Sequence, residues 1–173
     1  GGPAPRPPGP AGGPGPPAAA LVAFGLGIFL YGEALVRFDF REVRTGAGDQ
    51  WIAGGAPAIS ALAAAKLTAS PLWTGAAHSA LRTTTLALLA VNLAACAALL
   101  VAEVRSPRPR YDIRRWSTVF PLGMTAVAAL TASQVAGIPW LRTLGEVVLW
   151  AAFAAWLLVL AGFARRRGRL PRS

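Results

Sequence analysis

The sequence predicts an all-α integral membrane protein whose five transmembrane helices are arranged as helical hairpins. Hydrophobic residues make up 54% of the 173 residues, charged residues make up 14%, and the mean hydropathy is +0.49. That balance leaves too little polar surface to coat a water-soluble protein of this size. A helix rises about 1.5 Å per residue and the hydrocarbon core is about 30 Å thick, so one crossing needs about 20 apolar residues. The chain contains five windows of that length, and arginines lie in the first three of the four segments that separate them.

The segment at 1–17 precedes the first apolar window and differs from it in composition. It holds eight prolines, six glycines and a single charged residue, Arg6. Such a composition is typical of a disordered segment, because it cannot bury enough apolar surface to offset the entropy of ordering. The segment has neither an initiator methionine nor the basic start of a signal peptide. We therefore expect the chain to be a fragment of a longer protein or to have a misassigned start.

The transmembrane domain is predicted at 18–165, followed by a basic cytoplasmic tail at 166–173. Lys66 is the only charged residue of the second span, and the fifth span carries Arg142 and Glu146 in its first turns. Gly137 and Pro139 mark the boundary between the fourth and fifth spans, because glycine favours a helix end and proline a helix start. The predicted spans cover about residues 18–38, 51–70, 83–104, 115–136 and 140–164.

The basic residues predict the orientation of the spans. Three groups contain three, five and five arginines, 13 of the 17 lysines and arginines of the chain. They follow the first, third and fifth spans, so they lie on the same side of the membrane. The positive-inside rule then predicts a plasma-membrane, multi-pass protein with a cytoplasmic C-terminus. The groups are Arg37, Arg41 and Arg44; Arg105, Arg108, Arg110, Arg114 and Arg115; and Arg165, Arg166, Arg167, Arg169 and Arg172.

Several classes of function are disfavoured by the residues present. The net charge of +10 does not indicate nucleic-acid binding here, because the arginines lie in short segments between apolar runs. Cys96 is the only cysteine, which excludes an intramolecular disulfide, and His78 is the only histidine, expected to be solvated in a short outer loop. No nucleophile–base pair, phosphate-binding glycine loop or metal-ligand set is evident. We therefore predict no enzymatic activity, no cofactor and no metal.

Prolines distinguish the second and fourth spans from the others. Pro57 and Pro121 lie inside these two spans, where proline removes a backbone hydrogen bond and bends the helix. Such bends are tolerated where neighbours or a water-filled cavity satisfy the freed carbonyl, so these spans are candidates for the wall of a conduit. They also resemble each other at an offset of 65 residues, which aligns Trp51 with Trp116. The similarity indicates a repeated hairpin, although alanine-rich spans also resemble each other by chance.

The fourth span has two distinct faces at 100° per residue. One face combines Phe120 with Met124, Val127, Thr131 and Gln134, and its mix of aromatic, hydroxyl and amide groups suits the lining of a lumen. A lipid-facing Phe120 remains the alternative, because Pro121 disturbs the helical phase. The opposite face carries small residues suited to close helix packing: Thr118, Thr125, Ala129, Ala132 and Ala136.

Lys66 is the charged residue most relevant to an ion pathway. It lies about 22 Å into the second span, toward the outer leaflet. The lysine either extends its ammonium group to the membrane surface or, beside a channel, lowers the cost of bringing an anion out of water.

Two motifs resemble the tellurite-resistance/dicarboxylate transporter family, which includes malate carriers and slow-type anion channels. Residues 115–124, RWSTVFPLGM, resemble its ninth span, and residues 46–55, GAGDQWIAGG, resemble the loop into its seventh span. The resemblance covers about residues 18–170. It implies half of a ten-helix pore with bent inner helices, lacking the five N-terminal helices, and it suggests a homotrimer.

The same resemblance implies roles for individual residues. Phe120 matches the phenylalanine that plugs the family's pore, and Pro57, Pro121, Val127 and Thr131 are implied pore-lining or helix-bend positions. We therefore expect transport of small anions or of C4-dicarboxylates such as malate, with a relation to tellurite resistance. The alternative is a non-transporting helical scaffold or assembly subunit, for which the small-residue faces would serve packing alone.

Overall fold

A computed structural model describes residues 15–39, 50–105 and 116–167, and these form five α-helices with no strand among them. The all-α membrane fold is thereby confirmed. In chain order the helices are α1 (Pro16–Val36), α2 (Gln50–Thr68), α3 (Gly75–Arg105), α4 (Trp116–Ala136) and α5 (Pro139–Arg167).

Four of these helices, α1, α3, α4 and α5, are long and apolar enough to cross a membrane. The 19-residue helix α2 is not among them, in contrast to the expectation of five such spans. Its sequence explains the difference, because Lys66, Pro57 and two glycines lower its hydropathy. Burial between neighbouring helices compensates, since most of the α2 residues whose burial is described are not exposed.

The boundaries of α3 and α4 refine those predicted from sequence. Helix α3 begins at Gly75 and has 31 residues, so it starts eight residues earlier than expected. Helix α4 ends at Ala136, and Gly137 follows with φ of +65°, in the left-handed region that glycine adopts most easily. The Ile138 N–H donates to the carbonyl of Ser133, which is the hydrogen bond of a Schellman motif. The predicted helix-stop pair at Gly137 and Pro139 is confirmed.

The two proline-bearing helices, α2 and α4, pack side by side and run parallel. Gly55 lies against Pro121, and each residue is the sixth of its helix. Helix α3 packs on both and runs antiparallel to them, because its late residue Leu99 contacts the early Gly54. Two buried clusters fill the spaces between α2, α3, α4 and α5: Ala61, Leu89, Ala128, Ala129, Ala132 and Leu141 in one, and Trp51, Leu99, Leu122 and Ala152 in the other.

The first and last helices lie at the edges of this bundle. None of the most apolar part of α1 is buried, and α1 contacts α2 over a small area. Helix α5 packs on α4 but leaves large apolar side chains uncovered, including Trp150 and Leu158. Both helices therefore present faces that lipid or further helices must cover.

The alternating directions of α2, α3 and α4 agree with the hairpin arrangement predicted from sequence. Most of the arginines that predict a cytoplasmic C-terminus lie at 40–49, 106–115 and 168–173, outside the described residues. Residues 1–14 of the predicted disordered lead at 1–17 also lie outside them, whereas Pro16 and Pro17 form the start of α1. The orientation and the disorder of residues 1–14 remain predictions.

Candidate functional site

Helix α4 presents one uncovered face, here called the open face, which consists of Phe120, Val127, Thr131 and Gln134. Phe120 is 58% exposed and Val127 is 41% exposed. Gln134 is also exposed, and Thr131 is partly exposed with its hydroxyl donating to the carbonyl of Val127. Val127 lies seven residues, about two turns, after Phe120, and Thr131 and Gln134 follow at spacings of four and three, so the residues form one stripe along the helix.

The opposite face of α4 is buried and is made of small residues, as its sequence predicts. Thr125, Ala129, Ala132 and Ala136 are all buried against neighbouring helices, whereas the fifth predicted member, Thr118, is only half-buried. Small side chains let helix backbones approach closely, which stabilises packing in a membrane where lipid competes for apolar contacts. The packing of this face fixes which side of α4 remains open.

The two prolines are buried between helices and do not lie on the open face. Pro57 and Pro121 are among the most completely buried side chains described. A Cβ atom added to Gly55 would lie 3.1 Å from Cγ of Pro121, so α2 and α4 meet closely at this point. Of the four predicted pore-lining or helix-bend residues, Val127 and Thr131 lie on the open face. The two prolines can affect a pathway at this face only by changing the direction of the helices that contain them.

Lys66 is exposed in the last turn of α2 and lies in a groove between α1 and α2. The groove has a volume of about 570 Å³ and is lined mainly by apolar and small side chains, with Phe24 and Ile59 among them. Lys66 is eleven residues beyond Gly55, which packs beside Pro121, so it lies about 16 Å farther along the bundle than Phe120. The structure therefore does not bring Lys66 and Phe120 into a single site.

His78 lies in the first turn of α3, so its predicted position in a loop is wrong. The cause is the early start of α3 at Gly75, a residue that sequence reasoning assigned to the connecting loop. Arg82 follows one turn later, and its Nη2 donates a hydrogen bond of 2.8 Å to the carbonyl oxygen of Ala136. This contact satisfies one of the carbonyl groups left free at the C-terminal end of α4.

A buried polar cluster joins α3 to α4, and the sequence analysis did not single it out. Asn92 is fully buried, and its Nδ2 donates a hydrogen bond of 3.0 Å to Oγ1 of Thr125. Cys96 Sγ lies 3.3 Å from the same oxygen. The signal that could have identified this cluster is the amide itself, because a polar side chain in the middle of an apolar span is costly unless it has a partner.

No group of three histidine, cysteine, aspartate or glutamate side chains that could hold a metal ion occurs within residues 15–39, 50–105 and 116–167. The ion pairs of Arg37 with Glu33 and of Arg142 with Glu146 are local to one helix and exposed. The arrangement therefore offers a polar and aromatic surface at membrane depth, together with a separate cation, and both features suit the passage of a small solute.

Comparison with known proteins places this arrangement in a family. The chain is 38% identical over 68 residues to an uncharacterized membrane protein found in two strains of Mycobacterium tuberculosis, CDC 1551 / Oshkosh and ATCC 25618. The match covers 37% of this chain and 34% of the relatives, so the chain spans about a third of their length. No solved structure matches the chain. The family model described as SLAC1, voltage-dependent anion channel, matches residues 11–164, and the chain therefore belongs to the voltage-dependent anion channel family.

Proposed function

We propose that this chain forms the C-terminal part of an anion channel or carrier, with the open face of α4 lining the pathway and Phe120 acting as its gate. The observation that carries the proposal is the placement of Phe120, a largely exposed aromatic ring that directly precedes a buried proline. Because the proline is held by its neighbours, a change in the course of α4 at this point would move the ring. In the closed state the ring blocks passage, and its rotation opens the pathway.

The chemistry of the open face supports passage of an anion that keeps part of its hydration shell. Val127 and Phe120 are apolar, and Gln134 offers an amide as a hydrogen-bond donor. The Thr131 hydroxyl can donate to an ion only if it releases the carbonyl of Val127. Such a surface removes only part of the hydration shell, which keeps binding weak enough for the ion to leave. Lys66, about 16 Å along the bundle, favours negative charge toward the outer side. The proposed substrates are small monovalent anions or C4-dicarboxylates such as malate, with tellurite-type oxyanions as a further class.

A complete pathway needs more helices than α2 and α4, because two helices cannot enclose a pore. The uncovered faces of α1 and α5 and the open face of α4 support a larger assembly. We propose that five N-terminal helices complete the ring and that three such units associate in the plasma membrane, with the C-terminus cytoplasmic. The arginines after the first, third and fifth spans support that orientation.

The test is anion efflux from liposomes that contain the chain, with and without a co-expressed N-terminal half of a family member. Phe120→Ala should raise basal efflux about tenfold, which corresponds to lowering the barrier by about 1.4 kcal/mol. Phe153→Ala provides a matched control, because Phe153 is also an exposed aromatic residue, 49% exposed, but belongs to α5 and not to the open face.

Efflux should remain at the unmodified level in the control variant. If Phe120→Ala is expressed and folded but leaves efflux unchanged, the gate is refuted. If no efflux occurs in any combination, the scaffold function becomes the better account, because the small-residue faces alone would then explain the fold.

A further inference from the structure

The buried cluster of Asn92, Cys96 and Thr125 lies one turn after Pro121 and links α4 to α3. Thr125 Oγ1 donates a hydrogen bond of 2.8 Å to the carbonyl oxygen of Pro121. Since this uses the only proton of the hydroxyl group, Thr125 must act as the acceptor toward Asn92 Nδ2 at 3.0 Å. A continuous chain of hydrogen bonds therefore runs from Asn92 through Thr125 to the backbone of the residue next to Phe120.

The cluster is an inefficient way to gain stability alone. Asn92 is fully buried, yet its Oδ1 has no hydrogen-bond partner among the described residues. An amide group removed from water and only half satisfied costs free energy that an apolar side chain of similar size would not. Buried polar side chains of this kind can instead select one packing arrangement over its alternatives, as single asparagines do in coiled coils.

We propose that Asn92 is a positioning residue that holds the proline-bearing helix α4 in the rotation that presents Phe120 on the open face. The hydrogen bond from Asn92 fixes Thr125, and Thr125 in turn fixes the carbonyl of Pro121. Helix α3 also holds α4 through the Cys96 thiol on the same Thr125 oxygen and through the Arg82 hydrogen bond to Ala136. Loss of the Asn92 bond therefore frees the part of α4 around Thr125 and Pro121 and not the whole helix. The effect on transport depends on the proposed gate, whereas the effect on the position of Phe120 does not.

The chain offers a matched control for this contact. Thr68 Oγ1 and Thr85 Oγ1 lie 3.2 Å apart and form a buried contact between α2 and α3. Each hydroxyl also donates to a carbonyl of its own helix, so one of them must release that carbonyl to donate to the other. The two residues are as deeply buried as Thr125, but they belong to α2 and α3 and not to α4. Thr85→Val removes this contact and should affect helix packing without moving Phe120.

The experiment measures how fast a water-soluble maleimide labels Phe120→Cys in the full chain in liposomes. The rate is compared in three backgrounds: unmodified, Asn92→Leu and Thr85→Val, after subtracting the labelling of native Cys96. Asn92→Leu should change the labelling rate about threefold. An interhelical hydrogen bond in a membrane typically contributes about 0.6 kcal/mol, and this free energy corresponds to a threefold change in rate. Thr85→Val should leave the rate unchanged.

The proposal is overturned if Asn92→Leu leaves the labelling rate unchanged, or if Thr85→Val changes it as much. Should Asn92→Leu fail to fold, Thr125→Val must produce the threefold change while Thr125→Ser, which keeps the hydroxyl group, retains the unmodified rate. Anion efflux is measured on Asn92→Leu with Phe120 intact. A labelling change without any efflux supports the positioning role and counts against the gate, so the two proposals can fail separately.

Discussion

The close contact of α5 with α4 at Gly145 allows a quantitative test of the packing that leaves the open face uncovered. A Cβ atom added to Gly145 would lie 2.8 Å from Cγ of Leu130 and 3.1 Å from the carbonyl oxygen of Ala126. The first atom can move only if Leu130 changes its χ1 angle, and the second belongs to the backbone of α4 and cannot move without shifting the helix. Gly145→Ala should therefore force the two helices apart.

The expected magnitude follows from two opposing effects. Overpacking a well-packed contact by one methyl group costs about 1–3 kcal/mol. Replacing a glycine in a helix interior with alanine contributes about 0.5–1 kcal/mol of stabilisation through lower backbone entropy in the unfolded state. Gly123→Ala is the matched control, because Gly123 is also inside a helix and an added Cβ there would meet nothing within 4 Å. Both variants gain the same stabilisation from lower backbone entropy in the unfolded state. Their free energies of unfolding should therefore differ by the overpacking cost of about 1–3 kcal/mol.

Reversible unfolding in mixed micelles, followed by circular dichroism, measures both free energies of unfolding. We expect Gly145→Ala to unfold at lower denaturant than Gly123→Ala, with equal slopes. If the two alanine variants unfold with the same free energy, α4 and α5 are not packed as closely as described, and the argument that this packing determines the open face is refuted.

Two further predictions concern the hydrogen bond of Arg82 at the end of α4 and the burial of Cys96 in the middle of α3. Arg82→Met should lower the free energy of unfolding by about 1–2 kcal/mol, because it removes a charged donor from the carbonyl of Ala136. Arg142→Met, which removes only an exposed pair with Glu146, should lower it by less than about 0.5 kcal/mol in the same assay, and equal losses would contradict the helix-capping role of Arg82. Cys96, which is 5% exposed, should resist alkylation in the folded chain and react once the chain is unfolded in detergent, whereas prompt labelling of the folded chain would show that its burial is wrong.

Much of the fold could be predicted from the chain itself, because the bilayer restricts the alternatives. Length and hydropathy predict helices wherever about 20 apolar residues occur in succession, and the structure contains all five expected helices. The end of α4 could be predicted from Gly137 and Pro139, since glycine at positive φ and proline at a first helical position are local effects. The two faces of α4 also follow from helical periodicity, which depends only on sequence spacing.

The early start of α3 at Gly75 and the choice of Thr125 as the partner of Asn92 could not be predicted in this way. Residues 75–82 contain histidine, serine and arginine, so their hydropathy is low, and they become helical because Arg82 and Leu81 gain contacts with neighbouring helices. The burial of both prolines was also unexpected, since a bend predicted from sequence does not show which neighbour covers it. Contacts between helices distant in sequence decide these points.

The amino-acid sequence alone determined that this chain enters a membrane as helices, where most of those helices end, and which residues of α4 share a face with Phe120. These properties depend on local spacing and on the cost of exposing backbone groups to hydrocarbon. Only the tertiary structure decided that α2 and α4 pack through Gly55 and Pro121, that Lys66 lies far from Phe120, and that Asn92 reaches Thr125. The physical reason is that these outcomes depend on the relative rotation and height of separate helices, which are set by side-chain packing between them.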